Sequence, residues 1–309
     1  MEQIYEYIRA IYETGSFRAA AEALHVTQPA LSIALKKYED QLGAQIFDRR
    51  RHPYELTPAG EIVVRGLERL SDEERRMQAQ LLDLQGGSGG EIFIGATHYV
   101  NTCVLPPIIA ACRARYPNVR LRIAERSSNE IAQHLMDDLY DLAVCASGFQ
   151  SDAVLRLPVL RDELCWVIPN HLLPPQLPVE PAKSKDAFPR LRSLSVFGQV
   201  PFIALMPGDS LYRRALDLFS ASQITPQICL NVPQSTTAWY MACAGVGAAL
   251  VPARMPRITA PSGADVTVFS YDSPLMERTI SLFCRTDRYI STATRHFIDL
   301  CRSSTKKGR

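Results

Sequence analysis

Four glycines around one serine, Gly86-Gly87-Ser88-Gly89-Gly90, constrain this chain more than any other stretch. Glycine loses the most backbone freedom on ordering, so such a run neither holds a helix nor packs a strand. It predicts a hinge over 86–90 with separately folded parts on either side. The chain has 309 residues, and at roughly 150 residues per domain this fits two domains with a smaller appendage. Apolar residues at 47% and charged residues at 21% make an ordinary globular mixture, which excludes a disordered or fibrous chain. A net charge of +2 nominates no partner by itself.

The longest unbroken apolar run, Ala238 to Val251, covers 14 residues, the length of a buried core segment rather than a membrane span. The opening Met1-Glu2-Gln3, with Glu6 and Arg9 close behind, lacks the basic start and apolar stretch of a signal peptide. A cytoplasmic location with no membrane partner is expected. The eight cysteines (Cys103, Cys112, Cys145, Cys165, Cys229, Cys243, Cys284, Cys301) include no Cys-x-x-Cys, and the closest two stand 9 positions apart. Metal sites want paired ligands and disulfide frameworks want small secreted chains, so buried thiols in a reducing compartment are expected instead of a redox sensor. His25, His52, His134, His171 and His296 show no ligand spacing. Zinc-deaminase, P-loop and G-x-S-x-G signatures are absent too. No metal, cofactor or enzymatic activity is predicted.

Ahead of the hinge, apolar spacing predicts four helices. Ile4, Tyr7, Ile8 and Ile11 line the first; Ser16 caps a second with Phe17, Ala20, Ala21 and Leu24 inward. After a short turn at His25-Val26, Thr27 caps a third, with Pro29 in its first turn, Leu31, Leu35, Tyr38 and Leu42 inward, and Gly43 near its end. A helix, a tight turn and a second capped helix make a helix-turn-helix, the arrangement that enters a DNA major groove. Gln28, Ser32 and Lys36 recur every four residues on the face opposite the apolar stripe. Glutamine can pair with adenine, serine can reach a groove edge, and lysine can bond guanine or phosphate. The segment Arg49-Arg50-Arg51-His52-Pro53-Tyr54-Glu55-Leu56 fits a wing hairpin whose arginines would meet phosphates. Residues 1–90 hold 11 basic and 14 acidic side chains, so only the cluster Lys36, Lys37, Arg49, Arg50 and Arg51 is basic. A solvated helix face in a protein-docking module is the alternative.

Thr57 and Pro58 start a fourth helix that can run to about Gln85. Along it Val63, Leu67, Leu70, Glu74, Met77, Leu81 and Leu84 alternate steps of four and three, a heptad seam with one charged interruption. At 1.5 Å per residue the helix is about 40 Å long. Its stripe either lies on the protein's own body or joins two copies; dimerisation is expected, which would bring two reading helices to two half-sites.

Beyond the hinge, strands alternate with helices. Ile92 and Ile94 mark a strand, Leu105 to Tyr116 a helix, Val119 to Ile123 a strand, Ile131 to Leu139 a helix and Asp141 to Cys145 a strand. A second set follows Glu163, with strands at 202–205, 227–232 and 248–251 and helices at 210–222 and 235–244. A last strand at 278–285 and a helix at 289–302 return to the first set. Leu172 to Pro189 holds five prolines and is expected as surface loop, and Lys306-Lys307-Gly308-Arg309 as a frayed tail. The order βαβαβ predicts parallel sheets in a two-lobed α/β ligand-binding module. In such sheets the ligand lies beyond the carboxyl ends of the strands, where helix amino termini favour an anion, and a small carboxylate is the expected effector. Three polar loops fall there: 96–102 with Thr97, His98, Tyr99 and Thr102; 126–129 with Ser127 and Ser128; and 233–237 with Gln234 and Ser235. Each Ser or Thr could equally be a plain helix cap. His98 has no partnered nucleophile and fits a ligand hydrogen-bonder or a solvated residue better than a general base.

The runs Gly15-Ser16-Phe17-Arg18-Ala19-Ala20-Ala21, Val26-Thr27-Gln28-Pro29-Ala30-Leu31-Ser32 and Glu39-Asp40-Gln41-Leu42-Gly43, with Phe47, Arg49 and Leu56-Thr57-Pro58-Ala59-Gly60, resemble the LysR-type transcriptional regulators. The likeness continues through Ile94-Gly95, Leu105-Pro106, Tyr116-Pro117, Asp141-Leu142-Ala143 and Ala244 to Pro252, so it covers nearly the whole chain. It implies a winged helix-turn-helix DNA-binding domain at 1–57, a dimerising linker helix at 58–85, the hinge at 86–90, and an effector domain at 91–309 resembling a periplasmic binding protein. Its lobes would cover about 91–160 with 270–309, and about 161–269. The resemblance further implies a homodimer assembling into a homotetramer, double-stranded promoter DNA, a small-molecule effector and RNA polymerase as partners. Gln28, Pro29, Ser32 and Lys36 would meet DNA, and Tyr99, Ser128, Phe202 and Ile203 would fall at effector positions. Thr27 stands where serine is common, and Tyr99 is bulkier than the small hydroxyl residues often found there. The rival reading is a solute-binding or enzymatic α/β protein carrying a helical docking module; the heptad and the helix-turn-helix weigh against it.

Overall fold

A computed structural model describes residues 2–86, 89–146, 151–185 and 187–307. Gly87 and Ser88 of the expected hinge, and Gly308 and Arg309 of the expected tail, lie outside them. The chain divides into two compact units, residues 1–81 with 137–139, and residues 82–136 with 140–309.

In the first unit α1 (Glu2–Thr14), α2 (Phe17–Ala23) and α3 (Gln28–Leu42) precede the hairpin β1 (Phe47–Asp48) and β2 (Glu55–Leu56); α4 (Pro58–Leu84) follows, all but its last three residues within this unit. Capping sets these boundaries. The Ser16 and Thr27 hydroxyls accept from the amides of Ala19 and Ala30, each at 3.4 Å, and Gly43 closes α3 in the left-handed region at φ 69°. Ile8, Ile11, Ala20, Leu31, Leu35, Ile46 and Phe47 are completely buried and form the core, joined by Phe17 and Leu67. Leu42, expected inward, is instead exposed, because the last turn of α3 runs past that core before Gly43 ends it.

The heptad stripe of α4 splits in two. Val63 and Leu67 pack on the helix-turn-helix core of their own chain, which corrects their expected place in a dimer seam. Leu70, Met77, Leu81 and Leu84 are exposed. Where α4 begins, the Thr57 hydroxyl accepts from Gly60 N at 2.9 Å and donates to the Gln45 carbonyl at 2.5 Å. A Cβ at Gly60 would lie 2.1 Å from the Ile46 carbonyl oxygen, so only glycine lets α4 seat against the wing.

The second unit contains β3 (Gly90–Ala96), α5 (Leu105–Arg115), β4 (Val119–Glu125), α6 (Ser128–Met136), β5 (Leu142–Cys145) and β6 (Val154–Pro169). There follow β7 (Val179–Glu180), β8 (Arg190–Leu191), β9 (Pro201–Leu205), α7 (Ser210–Ala221), β10 (Gln227–Val232), α8 (Ser235–Cys243), β11 (Ala248–Pro252), α9 (Arg254–Ile258), β12 (Val266–Tyr271), β13 (Glu277–Arg285) and α10 (Thr292–Lys307). The helix expected to reach Leu139 stops at Met136, and Asp138 follows with φ 66°. The helix expected to stop at Arg302 continues through Lys307, so Lys306 and Lys307 are helical and not frayed.

Sheet order is β10-β9-β11-β6-β13-β5-β3-β4, with β12 also on β6. Strands β3, β4 and β5 are parallel, as are β9, β10 and β11. Strand β6, unforeseen in the sequence, joins the two sets. Its first part, Val154 to Glu163, pairs antiparallel with β13, whereas Leu164 to Pro169 pair antiparallel with β11 and β12. One lobe therefore lies around β3, β4, β5 and β13, and the other around β9, β10, β11 and β12. The second lobe's core gathers Trp166, Phe197, Phe202 and Phe219, with ring centroids 4.4–6.3 Å apart.

Gly60→Ala should destabilise the first unit by about 1–3 kcal/mol, since the added methyl must displace backbone. Chemical denaturation followed by helix circular dichroism measures the loss, and an unchanged midpoint would contradict the packing described.

Candidate functional site

Two places gather the expected site residues, one in each unit. In the first unit, Gln28, Pro29 and Lys36 are exposed on α3, and Ser32 is half-buried. Ile33 also stands on the exposed surface at 68% exposure. The sequence signal for Ile33 was an apolar residue off the inward stripe, and the every-fourth-residue pattern passed over it. An exposed isoleucine beside lysine and glutamine can meet a thymine methyl while they bond base edges or phosphate.

The wing arginines differ in what they can do. Arg49 is not a free phosphate ligand as expected. Its Nη2 donates to Glu39 Oε2 at 2.8 Å, and its guanidinium lies 5.8 Å from the Phe17 ring centroid. Glu39 is only 6% exposed, and its other oxygen accepts from Ile46 N at 2.8 Å. A carboxylate buried that far needs a cation, and Arg49 supplies it. Arg51 pairs at the surface with Glu55 at 2.5 Å and Asp48 at 3.7 Å. Arg50 is exposed, and its guanidinium has no ion-pair partner among the described residues.

In the second unit a cleft of about 280 Å³ opens between the lobes, at the amino termini of α6, α7 and α8. Thr97, His98, Tyr99, Ser127, Ser128, Gln234 and Ser235 line it, as expected of the three polar loops. Thr102, Phe202 and Ile203 do not. The chain is already helical from His98, so the Thr102 hydroxyl turns back to the His98 and Tyr99 carbonyls at 3.0 and 3.2 Å. Phe202 and Ile203 lie early in β9, 2% and 1% exposed in the lobe core; Leu205, at the carboxyl end of that strand, reaches the cleft instead.

The floor carries a buried polar chain. Tyr99 Oη donates to Asp162 Oδ1 at 2.6 Å, and Arg278 Nε donates to Asp162 Oδ2 at 2.7 Å. Burial, followed by the Asp162 charge, pushes the Tyr99 hydroxyl far above its ordinary range, so it stays a neutral donor. Asp162 engages only Nε of Arg278; the two terminal nitrogens have no acceptor among the described residues. The Arg278 side chain is 6% exposed, and that remainder faces the cleft. A wider recess of about 680 Å³ shares Arg278 and adds Arg213 and Arg214. Burial, then the Arg278 charge, lowers the pKa of Arg214, a sign of crowded positive charge.

The three helix starts are finished differently. At α6, Ser127 Oγ accepts from Glu130 N at 3.3 Å, and Glu130 Oε2 accepts from Ser127 N at 3.0 Å, a reciprocal capping box. The Ser127 hydroxyl, then its amide, holds the Glu130 carboxyl below the usual carboxylate range. At α7, Asp209 Oδ1 accepts from Leu211 N at 2.7 Å. No side chain caps α8: Gln234, in the capping position, donates Nε2 to Glu125 Oε1 at 3.2 Å. The α8 start thus keeps amides available to a ligand. Glu125 also meets His98 Nδ1 at 3.0 Å.

Cys284 and Cys301 are pushed up by burial to about 11 and about 12, so neither offers a thiolate at neutral pH. Cys229 is exposed and Cys243 half-buried, departures from the expected burial. Among the described residues no group of His, Cys, Asp and Glu is arranged to hold a metal, and no helix is long and apolar enough to cross a membrane.

Residues 3–61 match the model for the bacterial regulatory helix-turn-helix protein, lysR family. Residues 85–306 match the LysR substrate binding domain. The chain is 26% identical to YcgK, an uncharacterized HTH-type transcriptional regulator of Bacillus subtilis (strain 168), over 99% of this chain and 95% of that one. It shares the fold of CbnR, a LysR family transcriptional regulator, at 20% identity and TM-score 0.73, covering 98% of each chain. Against full-length CbnR complexed with its target DNA the TM-score is 0.70 at 20% identity, covering 98% of this chain and 99% of that one. The effector binding domain of QuiR, in complex with shikimate, aligns at 20% identity and TM-score 0.57, covering 71% of this chain and 98% of that one.

Arg49→Ala should cost the first unit about 1–3 kcal/mol, because it strips a buried carboxylate of its cation. Arg50→Ala should stay within about 0.5 kcal/mol of the parent. Urea denaturation of both variants checks the contrast. The Glu130 cap contributes fully above the ordinary Glu pKa and fades as pH falls through its lowered value. Titrating that carboxyl by NMR should give a midpoint below that of an exposed glutamate.

Proposed function

The chain belongs to the LysR family of transcriptional regulators, with a DNA-binding helix-turn-helix and an effector-binding domain, and we propose that it reads near-palindromic promoter DNA under control of a small carboxylate. The observation that carries the DNA half is the exposed amino-terminal face of α3, with Gln28, Pro29 and Lys36 free of the core. Gln28 reads base edges, Ser32 and Ile33 add contacts beside it, and Lys36 and Arg50 meet phosphates. Arg51 reaches phosphate by exchanging its surface partners, whereas Arg49 holds the wing in shape.

A small domain gains affinity by presenting two copies to two half-sites. The exposed Leu70, Met77, Leu81 and Leu84 supply the seam for a homodimer, and pairs of dimers build the tetramer. The DNA-binding part ends near residue 57 and the seam helix near 85, with the effector domain beyond. Regulation acts in the cytoplasm on the access or activity of RNA polymerase.

The effector half rests on Arg278. A guanidinium buried this deeply with two nitrogens unbound offers an anion the fork geometry that carboxylates fit. Tyr99 and Asp162 hold that fork in place, and Ser128, Ser235 and the α8 amides complete the shell.

Fluorescence anisotropy on a cognate duplex should show affinity falling steeply with salt, as phosphate contacts release counterions. Gln28→Ala should lose about 1–3 kcal/mol of discrimination between cognate and scrambled duplexes, and Arg50→Ala should weaken both about equally. Equal losses for Gln28→Ala would remove that residue from base reading. In a thermal-shift screen of small carboxylates, one present at 100 times its Kd should add about 2.7 kcal/mol. If Ser128→Ala leaves the response unchanged, Ser128 is not a contact.

A further inference from the structure

The cleft is not uniformly attractive to anions. Four carboxylates lie on or beneath its walls, and three are committed: Asp162 to Tyr99 and Arg278, Glu130 to the Ser127 cap, and Asp209 to the start of α7. Glu125 is different. It ends β4, and its side chain is 41% exposed. Its one ion-pair partner among the described residues is the His98 ring, at 3.0 Å. Arg126, its neighbour in sequence, donates Nη1 to the Glu125 main-chain carbonyl at 2.8 Å and not to the carboxylate. The remaining contact is the neutral amide of Gln234, at 3.2 Å. Among the described residues, no lysine or arginine pairs with the Glu125 carboxylate on the wall of the cleft.

The same chamber of about 280 Å³ is lined by Arg278, whose two terminal nitrogens lack acceptors among the described residues while the side chain is only 6% exposed. A guanidinium with two unengaged nitrogens and a carboxylate whose one ion-pair partner is an imidazole line one small chamber. A ligand with only a carboxylate satisfies Arg278 and leaves Glu125 facing added negative charge, which is unfavourable in a partly desolvated site. A ligand that also carries an ammonium satisfies both. We propose that the effector is a small amino carboxylate, its carboxylate on Arg278 and its ammonium on Glu125, so that Glu125 sets the specificity of the cleft. This rests on the reading of the cleft as a small-anion site and narrows its ligand class.

Isothermal titration of the full chain with matched pairs tests this, each amino acid against its 2-hydroxy and 2-oxo analogue and each ω-amino acid against the simple acid. At least one amino member should bind ten or more times tighter than its partner. Glu125→Gln keeps an oxygen for His98 and Gln234, so it should fold normally and bring that ratio close to one, without weakening the amino-free partner. Arg278→Lys keeps the charge beside Asp162 and should weaken both members of a pair. The proposal is overturned if amino-free acids bind as well or better in the parent protein, or if Glu125→Gln leaves the ratio intact. When amino-free acids bind and Arg278→Lys weakens them, the small-anion reading survives that failure. Binding by no member of the panel, or binding of both members indifferent to Arg278→Lys, overturns that reading as well.

Discussion

A single strand, β6, holds the effector domain together and dictates where its chemistry sits. Its first ten residues belong to one lobe and its last six to the other, the pairing partner changing between Glu163 and Leu164. Asp162 lies just before that change, 1% exposed. A carboxylate there is tolerable only if hydrogen bonds and a cation replace the water it has lost. Arg278 comes from the strand beside it and Tyr99 from the start of the helical segment after β3. The polar chain that lets β6 cross the domain is therefore also the chain that aims Arg278 into the cleft. The architecture and the lining of the cleft share one set of atoms.

The winged unit obeys a similar rule on a smaller scale. Glu39 is buried beneath the wing, and Arg49 together with the Ile46 amide neutralises and anchors it. One arginine of three is thereby withdrawn from any partner, and a second is shared between two surface acids. A basic cluster counted along a sequence overstates the charge presented to DNA, because adjacent acids claim part of it first.

What was legible in the chain followed from local chemistry. Ser16, Thr27 and Gly43 mark helix ends through their own side chains or lack of one, and the polar loops after β3, before α6 and before α8 fall at the cleft. What was hidden depended on distant partners. Arg278 stands in a strand far along the chain from Tyr99 and Asp162, and nothing local marks it as buried. Glu125 reads as a solvated strand end until Gln234 and His98 converge on it. Strand β6 itself was obscured by Pro158 and by the charges of Arg156, Arg161, Asp162 and Glu163, which break the alternation a strand normally shows. Phe202 and Ile203 were placed by likeness alone, and their depth in the lobe shows the limit of transferring positions without a strand's direction.

The aromatic cluster of the second lobe has a spectroscopic consequence. The chain has two tryptophans, Trp166 and Trp239, both at most 1% exposed and both in that lobe; neither lines the cleft. Among the described residues Trp166 Nε1 has no hydrogen-bond partner, whereas Trp239 Nε1 donates to the Thr259 carbonyl at 3.2 Å. Tryptophan emission, selected by exciting at the red edge where tyrosine does not absorb, therefore originates wholly within one half of the effector domain. A red shift registers water entering that interior, while melting of the winged helix passes unseen by either indole.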